Sequence, residues 1–137
     1  MSIRNDILDN LKTALEAVTG VAYVGRGELP DPANRTYFPA LYIQDDGGDR
    51  KTRNCADSKI QKMMEVSIVG FYRAATDLSK RFNDFLQDVE NAIEGADLGS
   101  YCRDSTVDST NPIITLDGQR EVQFVVNVQI KYWRTLA

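Results

Sequence analysis

The segment "EVQFVVNVQIKYWR", residues 121–134, alternates apolar and polar side chains over a length typical of a long β-strand. One row of alternate residues is apolar throughout: Val122, Phe124, Val126, Val128, Ile130 and Tyr132. The other row is mostly polar, but it includes Val125 and Trp133, the only Trp of the chain. Such a strand must bury its apolar row, so the segment predicts a layered fold built on a sheet. What the second row contacts is the question that this pattern raises.

Two segments predict amphipathic helices. The first begins after Ser2, repeats apolar residues at three- and four-residue steps, and ends at Gly20. The second, "TDLSKRFNDFLQDVENAIEGADLG", has Thr76 or Asp77 as its cap and Gly95 as its stop. Its apolar stripe consists of Leu78, Phe82, Phe85, Leu86, Val89 and Ile93. We expect this stripe to pack on the apolar row of the last strand.

Further strands are predicted at residues 21–25, 40–44 and 63–74, where short apolar or alternating runs occur. Residues 101–116 predict either a strand, with Pro112 confining it to a sheet edge, or an irregular connector. The whole chain, residues 1–137, is expected to form one α+β domain. Its sheet would be mainly antiparallel or mixed, with four to five strands and both helices on one face. The other face is then left for solvent or a partner.

The segment "DDGGDRKTRNCADSK", residues 45–59, has no periodicity and almost no apolar residues. It predicts a long exposed loop, poorly ordered in the free protein. Loops of this length in a compact domain are usually functional or disordered. Its acids do not follow the alternating spacing of a calcium-binding loop, and its Lys and Arg residues would repel a cation.

Composition excludes several classes of function. The chain has 137 residues, a formal charge of −4 and no histidine, which removes Ser–His, Cys–His and His-containing zinc sites. Its two cysteines, Cys55 and Cys102, are expected to be unpaired thiols. The acidic balance is unlike that of a nucleic-acid binder, and no segment predicts a signal peptide or a membrane helix. We therefore predict a chain that is not an enzyme, with no catalytic, metal-binding or cofactor-binding residues.

The layout of the chain resembles the tail-terminator, or tail-completion, proteins of long-tailed bacteriophages. The resemblance covers nearly the whole chain: an N-terminal helix "IRNDILDNLKTAL", a Pro-containing entry "TYFPALYIQDD", and the strand "MMEVSIVGFYRA" after a polar loop. A helix "LSKRFNDFLQDVENAI" and a closing strand ending in "VQIKYW" complete it. Among these motifs, "FPALYI" is the most characteristic.

The resemblance implies a structural subunit without catalytic residues. Members of that family form rings, usually hexamers, that cap the finished tail tube and present a surface to head-completion or connector proteins. The expected partners are therefore copies of this chain, the tail-tube protein and a head-completion protein. DNA would only pass through the lumen, and no membrane would be involved. The protein would act in the host cytoplasm during assembly and then in the tail of the virion.

The predicted subunit or partner interface combines the polar loop with the second row of the last strand. Its residues are Asp45, Asp46, Asp49, Arg50, Lys51, Arg53, Gln129, Lys131 and Trp133. Loop residues of both signs suit a contact in which each subunit offers both halves. Two other functions remain open: a small non-enzymatic adaptor that binds a protein through the exposed sheet face or edge, and an enzyme that uses only carboxylates.

Overall fold

The computed structural model describes residues 3–27, 39–44, 49–55, 59–74, 76–96, 98, 102–116 and 121–135. They form two helices and six strands in the order α1 Ile3–Glu16, β1 Tyr23–Arg26, β2 Ala40–Gln44, β3 Asp49–Cys55, β4 Lys59–Arg73, α2 Leu78–Glu94, β5 Cys102–Leu116 and β6 Glu121–Thr135. The predicted α+β class is confirmed.

All six strands belong to one sheet. The strand order is β1-β2-β4-β6-β5, and β3 pairs with β4 on the same side as β2. The β1–β2 pair is parallel, and the other described pairs are antiparallel. Because β2 pairs with residues 67–71 of β4 and β3 with residues 59–64, the sheet is five strands wide at one end and four at the other.

Both helices pack on the same face of the sheet, as predicted. The stripe of α2 supplies buried Phe82, Phe85, Val89 and Ile93 to the main core, with Leu78 and Leu86 partly buried against it. This core also contains the apolar row of β6, from Val122 to Tyr132. In α1 the buried residues are Ile7, Leu8, Leu11 and Leu15. The matching apolar stripes therefore identified the layers correctly.

Phe124 is the aromatic centre of this core. It is fully buried, and its ring centroid lies 5.1 Å from that of Phe82 and 6.4 Å from that of Phe85. The ring lies across Gly70, its register partner in β4, where a Cβ atom would come within 2.1 Å of Cζ. Position 70 therefore requires glycine because the ring occupies the space of a side chain.

Backbone geometry at the helix ends differs in part from the prediction. α1 ends at Glu16, four residues before the predicted stop at Gly20, whose φ of +87° belongs to the turn that follows the helix. Asp77 is the N-cap residue of α2, but its φ is 51° and its side chain makes no capping hydrogen bond. The side-chain cap expected at Asp77 is therefore not formed.

The prediction that residues 45–59 form one long loop is wrong for residues 49–55, which are strand β3, and for Lys59, where β4 begins. Residues 45, 46 and 57 lie outside the described part of the chain. β3 pairs with β4 through backbone hydrogen bonds. These bonds do not require apolar side chains on β3, so a polar segment can form the strand. The expectation of a poorly ordered loop is corrected accordingly at residues 49–55.

β5 resolves the ambiguity at residues 101–116. Residues 102–116 form a strand at the end of the sheet order, so the connector interpretation is wrong. Its pairing with β6 is shifted at three places, one of them between Pro112 and Ile114. Bulges and proline on an edge strand discourage a further strand from pairing there.

Candidate interface

The face of the sheet opposite the helices is called here the open face. In β4 and β6 its rows are Gln61, Met63, Glu65, Ser67, Val69, Phe71 and Arg73, and Glu121, Gln123, Val125, Asn127, Gln129, Lys131 and Trp133. A small second core occupies one side of this face, where Ala40, Tyr42 and Phe71 are buried with Val69 packed against them. The rings of Tyr42 and Phe71 meet edge to face at 5.9 Å, and Tyr23 lies 5.6 Å from Tyr42.

The centre of the open face is uncharged. Ser67 pairs with Asn127 and Val69 with Val125, and Gln123 follows in the same row opposite buried Phe71. Apart from Phe71, these residues are half-buried. The Ser67 hydroxyl is 3.1 Å from the Asn127 Oδ1 atom, so the polar groups here bond to one another. Charged residues of the two rows flank this patch along the strands: Arg73 and Glu121 lie on one side, and Glu65, near the middle of β4, and Lys131 lie on the other. An uncharged centre with a charged rim is the usual composition of a protein interface.

One charged pair lies on the open face, at the end of the sheet near the N-terminus of α2. Arg73 Nη2 donates to Glu121 Oε2 at 3.3 Å. Glu121 is 1% exposed, whereas the Arg73 side chain is 48% exposed. The buried carboxylate therefore has a cationic partner that also reaches solvent.

The opposite end of the sheet is strongly basic. The register brings together residues 49–55, 59–65, 102–106 and 129–135, called here the basic end. This end contains half of the chain's 16 Lys and Arg residues but only three of its 20 Asp and Glu residues. The basic residues are Arg50, Lys51, Arg53, Lys59, Lys62, Arg103, Lys131 and Arg134. A chain of net charge −4 therefore has an excess of five positive charges at one end.

The exposed surface of α2 beyond Arg81 is acidic, so its charge is opposite to that of the basic end. Beyond Arg81 the helix contains four acidic residues and no basic one: Asp84, Asp88, Glu90 and Glu94. Asp84 and Asp88 stand four residues apart, as do Glu90 and Glu94, and like charges at this spacing destabilise a helix. Acids near a helix C-terminus also oppose the helix dipole. Arg73 and Arg81 line a pocket together with Asp84 and Asp88 and offset part of this repulsion.

A groove separates the C-terminal halves of the two helices. It has a volume of about 480 Å³, and its walls include Ala14, Val18 and Ala92, with Asp88 and Asn91 among the polar lining residues. Apolar walls beside a carboxylate match the shape of a Lys or Arg side chain, which has an apolar stem and a charged head.

The structure places the predicted interface residues on two flanks of β4. Gln129, Lys131 and Trp133 are half-buried on the open face. Asp49, Arg50, Lys51 and Arg53 lie in β3, with Arg50 opposite Met63 and Arg53 opposite Gln61. The same β4 residues pair with Lys131 and Trp133 of β6, so the two predicted groups share rows of the sheet. Asp45 and Asp46 lie outside the described residues.

Sequence reasoning missed four members of the basic end. Lys59, Lys62, Arg103 and Arg134 lie at the ends of β4, β5 and β6, and far apart in the sequence. The only available signal was that each stands near the end of an apolar strand. Their proximity depends on the register, which periodicity does not specify.

The two cysteines lie in strands on opposite flanks of the β4–β6 pair. Cys55 is in β3 and Cys102 in β5, so three inter-strand spacings separate them. At about 4.8 Å per spacing they are roughly 14 Å apart, beyond the reach of a disulfide.

Two further searches of the described residues found no site. No group of three or more His, Cys, Asp or Glu side chains there could hold a metal ion. Neither described helix is long and apolar enough to cross a membrane.

Comparisons with known proteins give similarity only at the level of structure. No family model matches the chain, and no curated protein matches its sequence. A chain from the virion of a native gene transfer agent (GTA) particle is similar over 97% of this chain and 92% of its own length, with 10% identity and a TM-score of 0.49. A second solved chain is similar over 95% and 94%, with 14% identity and a TM-score of 0.42. These values do not assign the chain to a family.

Proposed function

We propose that this protein is a structural subunit of a phage or phage-like particle, and specifically a tail subunit that forms a ring. The ring caps the tail tube and joins it to head-completion proteins. The observation that carries the proposal is the open face, which has an uncharged, half-buried centre between charged ends. Both described helices pack on the other face, so neither covers this surface, and of its β4 row Gln61, Met63 and Phe71 are buried within the chain.

The ordered layout of elements supports the same function. The chain proceeds from α1 through the short strands to the long β4, then α2 and the closing pair β5–β6, in the order of the resemblance to tail-terminator proteins. At 10% identity and a TM-score of 0.49, the similarity to the GTA virion chain adds no support. The proposed partners are other copies of this chain, a tail-tube protein and a head-completion protein, with DNA passing through the lumen.

The second candidate is a small adaptor that binds one protein through the same sheet. The shifts in the β5–β6 pairing argue against strand addition at the β5 edge, so an adaptor of this shape would use the open face. The two candidates differ in self-association. A ring requires contacts between copies of the chain, whereas an adaptor requires none.

Mass measurement over a range of concentrations separates the candidates. A ring subunit gives a species near six times 15.4 kDa, seen as an annulus by negative-stain microscopy, and it stops elongation of purified tail tubes. An adaptor remains a monomer or dimer and leaves tube length unchanged. A protein that stays monomeric at high concentration, with and without tail tubes, refutes the ring.

A substitution at the centre of the open face tests the surface. Gln123 is half-buried and lies opposite Phe71, so Gln123→Lys places a charge in the uncharged centre. The matched control is Asn83→Lys, on the exposed surface of α2. We expect Gln123→Lys to weaken capping of tail tubes at least tenfold and Asn83→Lys to leave it unchanged. Equal capping by both variants would exclude the open face as the contact surface.

A further inference from the structure

We propose that copies of this chain associate head to tail, with the basic end of one copy against the acidic surface of α2 in the next. The inference rests on the proposed function, because it names the contact through which the subunits of a ring would meet. It concerns a surface different from the uncharged centre of the open face.

The first support is charge complementarity within one chain. The basic end has eight basic residues and three acidic ones, whereas α2 beyond Arg81 has four acidic residues and no basic one. Each copy therefore carries both halves of an electrostatic contact on separate elements. Two different surfaces that complement each other produce a heterologous contact, which closes into a ring when the rotation between copies allows it.

The second support is the position of the two surfaces. The last turn of α2 contacts β5 at Ser105, whose hydroxyl donates to the Ile93 carbonyl at 2.7 Å. From that row β6 continues to Thr135, paired with the start of β4, and β3 pairs with the same part of β4. The basic end thus extends along the sheet past the end of α2, where a second copy can reach it.

The third support is the cost that the acidic surface imposes on its own helix. Two like-charged pairs at four-residue spacing and a reversed relation to the helix dipole both destabilise α2. Within one copy, Arg73 and Arg81 line a pocket with Asp84 and Asp88, and a cationic surface from a neighbouring copy would reduce both penalties further. The groove beside Asp88, about 480 Å³ in volume, has alanine walls that accommodate the stem of a Lys or Arg side chain.

Exchange of charges between the two surfaces tests the contact. The first variant, Arg50→Glu/Lys51→Glu/Arg53→Glu, reverses the β3 part of the basic end. The second, Asp88→Lys/Glu94→Lys, reverses one exposed member of each like-charge pair, so that Asp84 and Glu90 each face a Lys four residues later. We expect each variant alone to self-associate at least tenfold more weakly than the parent. We expect the second variant to be at least as stable to heat as the parent, so its loss of association cannot arise from unfolding.

Mixing the two variants provides the decisive measurement. The β3 strand of the first variant, now acidic, complements the helix of the second, and the unchanged surfaces complement each other in the same way. An equimolar mixture should therefore recover association, in particles that contain both chains in equal number. Association of the parent should weaken as salt rises from about 50 to 500 mM, because the Debye length falls from roughly 14 to 4 Å. Lys12→Glu/Lys80→Glu, on exposed or half-exposed parts of the helices, changes the net charge by −4, compared with −6 for the first variant, and is the control for negative charge added away from the basic end.

The possible outcomes separate this contact from the proposed function. If the parent forms rings and the single variants form them equally well, the charge contact is refuted and the ring function stands. If the single variants lose association but their mixture does not recover it, the pairing of these two surfaces is refuted. If the parent never associates, the ring function and this contact both fail.

Discussion

Replacement of Gly70 by alanine tests the packing at the centre of the core. An added Cβ would lie 2.1 Å from Cζ of Phe124 and 2.5 and 2.6 Å from its two Cε atoms. Carbon atoms in contact are separated by about 3.5–4.0 Å, so the ring would have to move by more than ~1 Å. Phe124 is fully buried between the rings of Phe82 and Phe85, which must then move as well.

The expected magnitude follows from these contacts. Added methyl groups in well-packed cores cost roughly 1–3 kcal/mol, and the confined ring places Gly70→Ala near the upper value. The unfolding entropy is about 2.1 cal/mol/K per residue, or roughly 290 cal/mol/K for a chain of this length. A loss of ~3 kcal/mol therefore lowers the Tm by about 10 °C. Loss of glycine freedom in the unfolded chain acts in the other direction by only ~0.4–1 kcal/mol.

Thermal and denaturant unfolding measure the effect, with two controls. Gly95→Ala has an ordinary φ of −95° and meets only the Asn91 carbonyl, at 3.1 Å, so it should shift stability by under ~1 kcal/mol. Phe124→Leu removes part of the ring and should destabilise the parent, yet it should cost less in the Gly70→Ala background. A Gly70→Ala protein that melts within about 2 °C of the parent, or additive effects of the two substitutions, would refute this packing.

Three further predictions concern stability and thiol chemistry. Phe85→Ala should lower the free energy of unfolding by about 3–5 kcal/mol in a denaturant titration, because the ring is buried against β6; a loss below ~1 kcal/mol would contradict this burial. Ser105→Ala should cost about 0.5–1.5 kcal/mol, since it removes one hydrogen bond to the Ile93 carbonyl, which still accepts from the Ala96 N–H at 3.3 Å, whereas Ser79→Ala on the exposed face of α2 should be neutral. Cys55 should react with a thiol reagent faster than Cys102, because its register partner is Lys59 whereas that of Cys102 is the buried Tyr132. Mass spectrometry of unreduced protein should show no bridge, since three inter-strand spacings separate the two residues; the reverse order of reaction, or a bridge, would contradict this register.

Local patterns in the sequence determined the layers of this fold. The alternating row of β6 and the helical stripe of α2 each specify a buried face without reference to any other segment. Both were identified residue by residue, and the two meet in the core as expected. At residues 101–116 the missing amide of Pro112 led to one of two interpretations, an edge strand, and the strand order decided for it over an irregular connector. Burial of one face requires a periodic pattern of apolar residues, and this pattern can be identified within a single segment.

The same reasoning failed at β3, whose sequence has no periodic pattern of apolar residues. The residues "DRKTRNC" pair with β4 through the backbone, so their polar side chains indicate a loop although the chain is extended. Strand pairing of this kind depends on the partner rather than on the residues of the strand. A polar strand at the flank of a sheet is therefore difficult to predict from its own residues.

Tertiary structure alone decided where the charges are. The acidic composition and the net charge of −4 are properties of the sequence, and they argue against a basic surface. The basic end exists because the register of β3, β4, β5 and β6 places four distant segments side by side. The electrostatic potential at a surface depends on all charges that lie near it in space. Strand order and register determine which charges these are, because they pair residues that are distant in the sequence. Net charge could therefore be calculated from the chain, whereas its separation into a basic end and an acidic helix required the fold.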